Sequence, residues 1–249
     1  MGFPFRRAED GKYQRSPADA TAESPDPSLE LVLLRWATMS TGHMPLPAGV
    51  DTTYPPAPWQ MHGQLWLSLF RVRAGDHPDR TPGVYGVALV KYEEPSPLTY
   101  GELLVATMHE KAVTITDIWV DSPQSVAGGR ELWAIPKDLC DFTFASERAG
   151  LTTRTTWTAS LEGRPIVSAS FSDVSRLAPR LPFKGSTWQR RAEPDQRAGE
   201  EVTASLTGSS KAMPCRGTWS FDPDGPLGWL HGKRTLASFR QADFRMSFG

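Results

Sequence analysis

The stretch that decides the fold is Ser125-Val-Ala-Gly-Gly-Arg-Glu-Leu-Trp-Ala-Ile-Pro-Lys-Asp-Leu139. With the three residues before it, its first half predicts a helix over 122–132, although two adjacent glycines weaken that prediction. Its second half places Lys137 directly after a proline and among apolar residues. Only seven of the 27 basic residues are lysines, so few positions in this chain can supply an amine nucleophile.

Around this stretch the chain predicts mostly strands. Short apolar or alternating runs are bounded by Gly, Pro and Asp turns, which is typical of strands. The predicted strands are 64–72, 83–92, 100–108, 112–120, 152–160, 166–171, 200–207 and 215–222. Their roughly regular spacing indicates an antiparallel barrel or sandwich.

The N-terminal part has a different composition. Residues 1–28 are polar and rich in Pro, Ser and Ala, which predicts a flexible extension. Residues 29–39 carry apolar groups at helical spacing, and five prolines exclude a persistent helix or central strand from 43–58. We therefore expect an extension over 1–28 and a single domain over 29–249.

The run Gly129-Arg130-Glu131-Leu132, followed by Pro136-Lys137, resembles the signature of the acetoacetate decarboxylase family. Four further stretches extend the resemblance over roughly residues 50–249: the proline-rich 54–59, Tyr100-Gly-Glu102-Leu, and the C-terminal segments at 222–227 and 248–249. The resemblance implies a mainly β fold, an antiparallel cone-shaped β-barrel with flanking helices. It also implies an enzyme without a cofactor and a tendency to form homo-oligomers.

In that family the lysine after the proline forms a Schiff base with a ketone, and here that residue is Lys137. The iminium then acts as an electron sink, so that a carboxylate β to it can leave as carbon dioxide. An amine must be neutral to attack, and burial in an apolar barrel lowers the pKa of a lysine. The resemblance also makes Glu102 the second candidate catalytic residue, a general acid or base inside the barrel.

Three departures from the family pattern predict altered chemistry. Asp138 stands where the decarboxylase has a second lysine, Gln64 replaces an arginine, and the apolar run 87–90 replaces a glutamate. We expect Asp138 to point away from the amine, because adjacent strand residues face opposite sides. We also expect poor decarboxylation of acetoacetate. Arg130 is expected to pair with a carboxylate, for which Asp117 and Asp121 are candidates.

Nine tryptophans suit a large apolar substrate. The candidate substrate-binding residues are Trp59, Met61, Gln64, Trp119 and Trp133. The leading hypothesis is a lyase that acts on a keto or polyketide-like compound by decarboxylation, aldol chemistry, dehydration or cyclisation, as relatives do in secondary metabolism. The alternative is a barrel that cyclises or merely binds its ligand non-covalently, with Lys137 a structural remnant.

Composition and spacing exclude several other classes. A net charge of −1 without a basic stripe argues against nucleic-acid binding. No apolar run reaches the roughly 20 residues of a membrane helix, and no histidine pair has metal-ligand spacing. Two cysteines without an export signal predict reduced thiols and a cytoplasmic protein.

Overall fold

The computed structural model describes residues 44–193 and 195–249. The predicted extension over 1–28 and the helical spacing at 29–39 lie outside the described residues. Within the described ranges, no helix combines the length and apolarity needed to cross a membrane.

The described part of the chain is mainly β, with one α-helix. The strands are β1 (Trp59–Val72), β2 (Gly83–Tyr92), β3 (Gly101–His109), β4 (Ala112–Val120), β5 (Lys137–Leu139), β6 (Asp141–Ala149), β7 (Thr152–Leu161), β8 (Arg164–Asp173), β9 (Arg180–Arg190), β10 (Glu201–Pro214), β11 (Arg216–Phe221) and β12 (Thr235–Phe248); the helix is α1 (Pro123–Trp133). The prediction of a mainly β chain is confirmed.

Seven strands close into a barrel in the order β3-β2-β1-β12-β10-β9-β4, with β4 returning to β3. The short β5 extends this sheet beside β4, and the pairs β4–β5 and β4–β9 are parallel. A second, antiparallel sheet has the order β11-β8-β7-β6. The predicted barrel is confirmed, and the second sheet is an addition to it.

The junction of β4 and β9 is the weakest seam of the barrel. Backbone pairing there is limited to Val113 opposite Thr187. The Gln189 side chain replaces part of the missing ladder: its amide oxygen accepts from the Ile115 N–H at 2.9 Å, and its amide nitrogen donates to the Ile115 carbonyl at 3.0 Å. A side-chain amide thus stands in for a peptide group.

Strand alternation divides the apolar residues between two cores. Val87 and Leu89 on β2 belong to a cluster that packs the barrel against the second sheet. Their neighbours Ala88 and Val90 belong to a second cluster inside the barrel. Because successive side chains point to opposite faces, an unbroken apolar run serves both cores at once.

Candidate active site

The end of α1 determines where Lys137 lies. Ala134 adopts the left-handed conformation, with φ of 55°, and its N–H donates to the Arg130 carbonyl. The next N–H, of Ile135, reaches back to the Gly129 carbonyl at 3.0 Å. These two bonds end the helix and turn the chain. Lys137 then begins β5, opposite Ile118 of β4.

The Lys137 side chain is buried inside the barrel, with 4% of the residue exposed. Its Nζ donates to Glu102 Oε2 at 2.9 Å, to Ser125 Oγ at 2.9 Å and to the Tyr100 hydroxyl at 3.3 Å. Among the six lysines that the structure describes, it is the only buried one. This placement agrees with the expectation from sequence.

Glu102 is equally buried and has a second partner. It projects from β3, and its Oε1 accepts from the Tyr92 hydroxyl at 3.0 Å. The rings of Tyr92 and Tyr100 pack together, with centroids 4.4 Å apart. The two carboxylate oxygens are therefore held by different donors, which fixes the carboxylate beside the amine.

The surroundings of the Lys137 amine favour its protonated form. Burial lowers the pKa of Lys137, but Glu102 at 2.9 Å and Tyr100 together outweigh it, so that the pKa lies above its ordinary value. The lowering by burial that the sequence led us to expect is therefore present, but the neighbours of the amine offset it. Burial also raises the pKa of Tyr100, and more strongly that of Tyr92, whose phenol faces Glu102.

Asp138 faces away from the amine, as strand alternation predicts. Its Oδ1 accepts from Arg130 Nη2 at 2.5 Å and from the Met44 N–H at 3.0 Å. Arg130 also donates from Nε to the Lys137 carbonyl at 2.8 Å and so ties α1 to β5. Of the two candidate partners proposed for Arg130, neither fits: Asp117 pairs with Arg80, and Asp121 accepts from the Gly101 N–H.

Arg191 anchors the other side of the helix end. Its guanidinium donates to the carbonyls of Arg130 and Glu131, each at 2.7 Å. Both carbonyls lie in the last turn of the helix, where a cation complements the helix dipole. The helix end, and with it Lys137, is thereby fixed relative to β9.

Lys137 and Glu102 lie in a cavity of about 200 Å³. Three candidate substrate-binding residues, Trp59, Met61 and Trp133, line it. Exposed Val113 and Gly185 also line it, so its mouth lies at the β4–β9 seam. The other candidates, Gln64 and Trp119, lie outside.

The positions of Gln64 and Trp119 are corrections with a common cause. Each neighbours a residue that faces the cavity, Leu65 and Ile118, so each must face the other way. Gln64 accepts from Arg240 Nη2 at 2.5 Å and donates to Glu93 at 3.0 Å. Trp119 packs in the core between barrel and second sheet.

Tyr92, Tyr100 and Ser125 were missed as site residues by sequence reasoning. Tyr100 lies two residues before Glu102, a spacing that places both on one face of an extended chain. Ser125 and Gly129 are four residues apart and share the helix face that meets Lys137. Both spacings are visible in the sequence. They indicate site residues only once Glu102 and Lys137 are known to lie inside the barrel.

One polar group of the cavity wall lacks a partner. The hydroxyl of Thr187, a residue that lines the cavity and is 6% exposed, makes no hydrogen bond among the described residues. Within the same ranges, no cluster of three or more His, Cys, Asp or Glu side chains could hold a metal ion.

Comparison with known proteins supports the resemblance seen in the sequence. The family model of acetoacetate decarboxylase matches residues 77–210, more than half of the chain. No curated protein sequence is matched.

Solved structures show the same fold. The enduracididine biosynthesis enzyme MppR in complex with pyruvate superposes with a TM-score of 0.58 at 16% identity, covering 84% of this chain and 95% of that one. Acetoacetate decarboxylase from Legionella pneumophila gives a TM-score of 0.50 at 15% identity, with 82% and 89% covered. At such identities the likeness concerns the fold alone.

Proposed function

Because the chain belongs to the acetoacetate decarboxylase family, we propose that it is a lyase that forms a Schiff base between Lys137 and the carbonyl carbon of its substrate. The observation that carries the proposal is the buried Lys137–Glu102 pair at the wall of an apolar cavity. An amine and a carboxylate at 2.9 Å can exchange a proton, which Schiff-base chemistry requires at several steps.

The first steps use this pair alone. The Lys137 ammonium gives one proton to Glu102, leaving a neutral amine and a carboxylic acid. The nitrogen lone pair attacks the carbonyl carbon, the carbonyl electron pair moves to oxygen, and Glu102 returns its proton to that oxygen. A second proton leaves the nitrogen through Glu102, and the hydroxyl departs as water, giving an iminium beside a carboxylate.

The later steps depend on what the iminium bears. It accepts the electron pair of a breaking bond at the adjacent carbon and becomes a neutral enamine. Glu102 lies where it can remove a proton from that carbon or return one. Decarboxylation, aldol cleavage or condensation, and dehydration are all compatible with this sequence, and Trp59, Met61 and Trp133 would contact the substrate.

A second candidate function follows from the charge of the resting amine. Since Glu102 raises the pKa of Lys137, the pair could remain an ammonium and a carboxylate throughout. The barrel would then bind or cyclise a ligand by hydrogen bonding alone. This alternative differs from the first in one measurable respect, the absence of a covalent adduct.

Reductive trapping separates the two functions. The protein is incubated with cyanoborohydride and a panel of ketones, and the modified lysine is located by peptide mass spectrometry. The proposal expects an adduct at Lys137 that forms faster than at exposed Lys111 and Lys184 and is lost in Lys137→Met. Equal, slow labelling of all lysines would contradict it and favour the non-covalent barrel.

A further inference from the structure

We infer that the substrate of this site is an aldehyde or ketone that carries no charge close to its carbonyl group and continues as a slim apolar chain toward the β4–β9 seam. The inference rests on the proposed Schiff-base function and concerns which carbonyl compounds the site accepts. Such a substrate differs from a β-keto acid, whose carboxylate lies two carbons from the reacting carbonyl.

The first argument is the charge balance of the cavity. Among the described residues that line it, only Lys137 and Glu102 are charged, and the two compensate each other. Condensation with a neutral carbonyl compound preserves this balance: an ammonium becomes an iminium, the carboxylate stays, and water leaves. Each state along the way therefore has a net charge of zero.

A carboxylate next to the reacting carbonyl would break that balance. It would bring one uncompensated negative charge into an apolar space and beside Glu102. An unpaired buried charge is costly, and a second carboxylate nearby adds repulsion. The nearest arginine in the sequence, Arg130, is engaged by Asp138 on the opposite side of β5. The described wall thus offers a departing carboxylate no cation of its own.

The second argument is the shape of the cavity. Lys137 lies opposite Ile118 on β4, whereas the mouth lies at Val113, five residues earlier on the same strand. A bulge in β4 between them makes this stretch match four residues of β3, so that at about 3.3 Å per residue the two ends are about 13 Å apart. A volume of about 200 Å³ spread over that length is narrow. A cavity of about 150 Å³ suffices for benzene, so this one suits a single chain or ring.

The experiment compares acetoacetate with its methyl ester, which differ in charge but little in shape. Each is trapped with cyanoborohydride on the full chain, and adducts are quantified by mass spectrometry. The ester-to-acid ratio at Lys137 is divided by the ratio at exposed Lys111 and Lys184, which corrects for intrinsic electrophilicity. We expect a corrected preference of about 100-fold for the ester.

The outcomes separate the inference from the proposed function. Equal or better trapping of acetoacetate at Lys137 would overturn the neutral substrate while retaining the Schiff base. No adduct at Lys137 with either compound, or with neutral methyl ketones, would overturn both.

A charge-adding variant tests the cause of the preference. Leu104 lines the cavity from β3 and is only half-buried. Leu104→Arg should shift the corrected ratio at least 10-fold toward acetoacetate, while Leu104→Gln, a neutral control of similar reach, should leave it near the wild-type value. Equal shifts in both variants would contradict the electrostatic explanation. If neither variant folds, the wild-type ratio still decides the inference.

Discussion

Gly129 lies so close to Lys137 that the helix has no room for a side chain there. A Cβ at this position would lie 2.8 Å from Lys137 Cδ and 2.9 Å from Cε. The lysine stem therefore passes directly over the helix backbone, which holds the amine beside Ser125 and Glu102. The glycine that weakened the helix prediction is the residue that makes the site possible.

We expect Gly129→Ala to displace the amine and to lower trapping at Lys137 at least 10-fold, since shifts of about 1 Å can cost 100-fold. Gly128→Ala is the matched control, because its Cβ would instead meet Trp59 and Tyr54. Because Trp59 lines the cavity, Gly128→Ala should lower stability and should lower trapping at Lys137 less than Gly129→Ala does. Equal losses of trapping in both folded variants would contradict this account.

Glu102→Gln should lower the pKa of Lys137. Burial lowers that pKa and Glu102 raises it, so that removing the charge leaves burial dominant. We expect the pH midpoint for acetylation of Lys137 by acetic anhydride to fall by about 1–3 pH units. Exposed Lys184 is the internal control and should keep its midpoint. An unchanged midpoint at Lys137 would mean that Glu102 does not set the charge of the amine.

Replacing one member of the buried pair should destabilise the protein more than replacing both. Lys137→Met leaves Glu102 buried without its cation and should cost about 3 kcal/mol in free energy of unfolding. The double variant Lys137→Met/Glu102→Leu should recover most of that loss, as measured by urea denaturation near pH 7. A double variant that is less stable than Lys137→Met would show that the two residues do not stabilise the protein as a pair.

The contribution of Lys137 to stability should also depend on pH with a defined sign. Its folded pKa lies above the ordinary 10.5, so that the folded state holds the proton more tightly than the unfolded state. The contribution is then complete below about pH 10 and is lost as pH rises through the folded pKa. The stability difference between wild type and Lys137→Met should therefore shrink above pH 10.5.

Gln64→Arg should not create acetoacetate decarboxylase activity. Gln64 lies outside the cavity beside Arg240 and Glu93, so that a new cation there cannot reach the amine. Carbon dioxide release from acetoacetate should stay near background in wild type and variant. Turnover of roughly 10 per second or more, a rate typical of enzymes, in either protein would contradict this prediction.

Chain length should govern the capture of neutral ketones. Each methylene that enters the apolar cavity adds about 0.8 kcal/mol of transfer free energy, which corresponds to about fourfold. Trapping at Lys137 by methyl ketones should rise by about that factor per carbon from acetone to 2-heptanone, with no such trend at Lys111. Equal trapping of all these ketones at Lys137 would argue against an apolar channel.

The strand pattern predicted an antiparallel barrel or sandwich, because the central strands are long, apolar and bounded by turns, and the family resemblance favoured the barrel. β2, β3 and β4 fall almost where they were predicted. Strands β6, β9 and β12 were missed, since β6 and β9 are mostly exposed and carry few apolar residues, and β12 mixes polar with apolar groups without a regular alternation. Such strands are defined by their partners rather than by their own pattern.

The site was partly predictable for a similar reason. Lys137 and Glu102 stand in motifs with recognisable spacing, and alternation placed Asp138 correctly. Gln64 and Trp119 were assigned the wrong face because a strand shifted by one residue exchanges inside for outside. The charge of the amine depended on a contact between residues 35 positions apart, which no local pattern contains.

The Gln189 amide at the β4–β9 seam bears on how the mouth of the cavity can widen. Elsewhere in the barrel, parting two strands means breaking a ladder of backbone hydrogen bonds. At this seam it means breaking one backbone bridge, the two Gln189 bonds and the bond from Thr114 Oγ1 to the Trp188 carbonyl. The same seam forms the mouth of the cavity, so the mouth can widen only when these few bonds break.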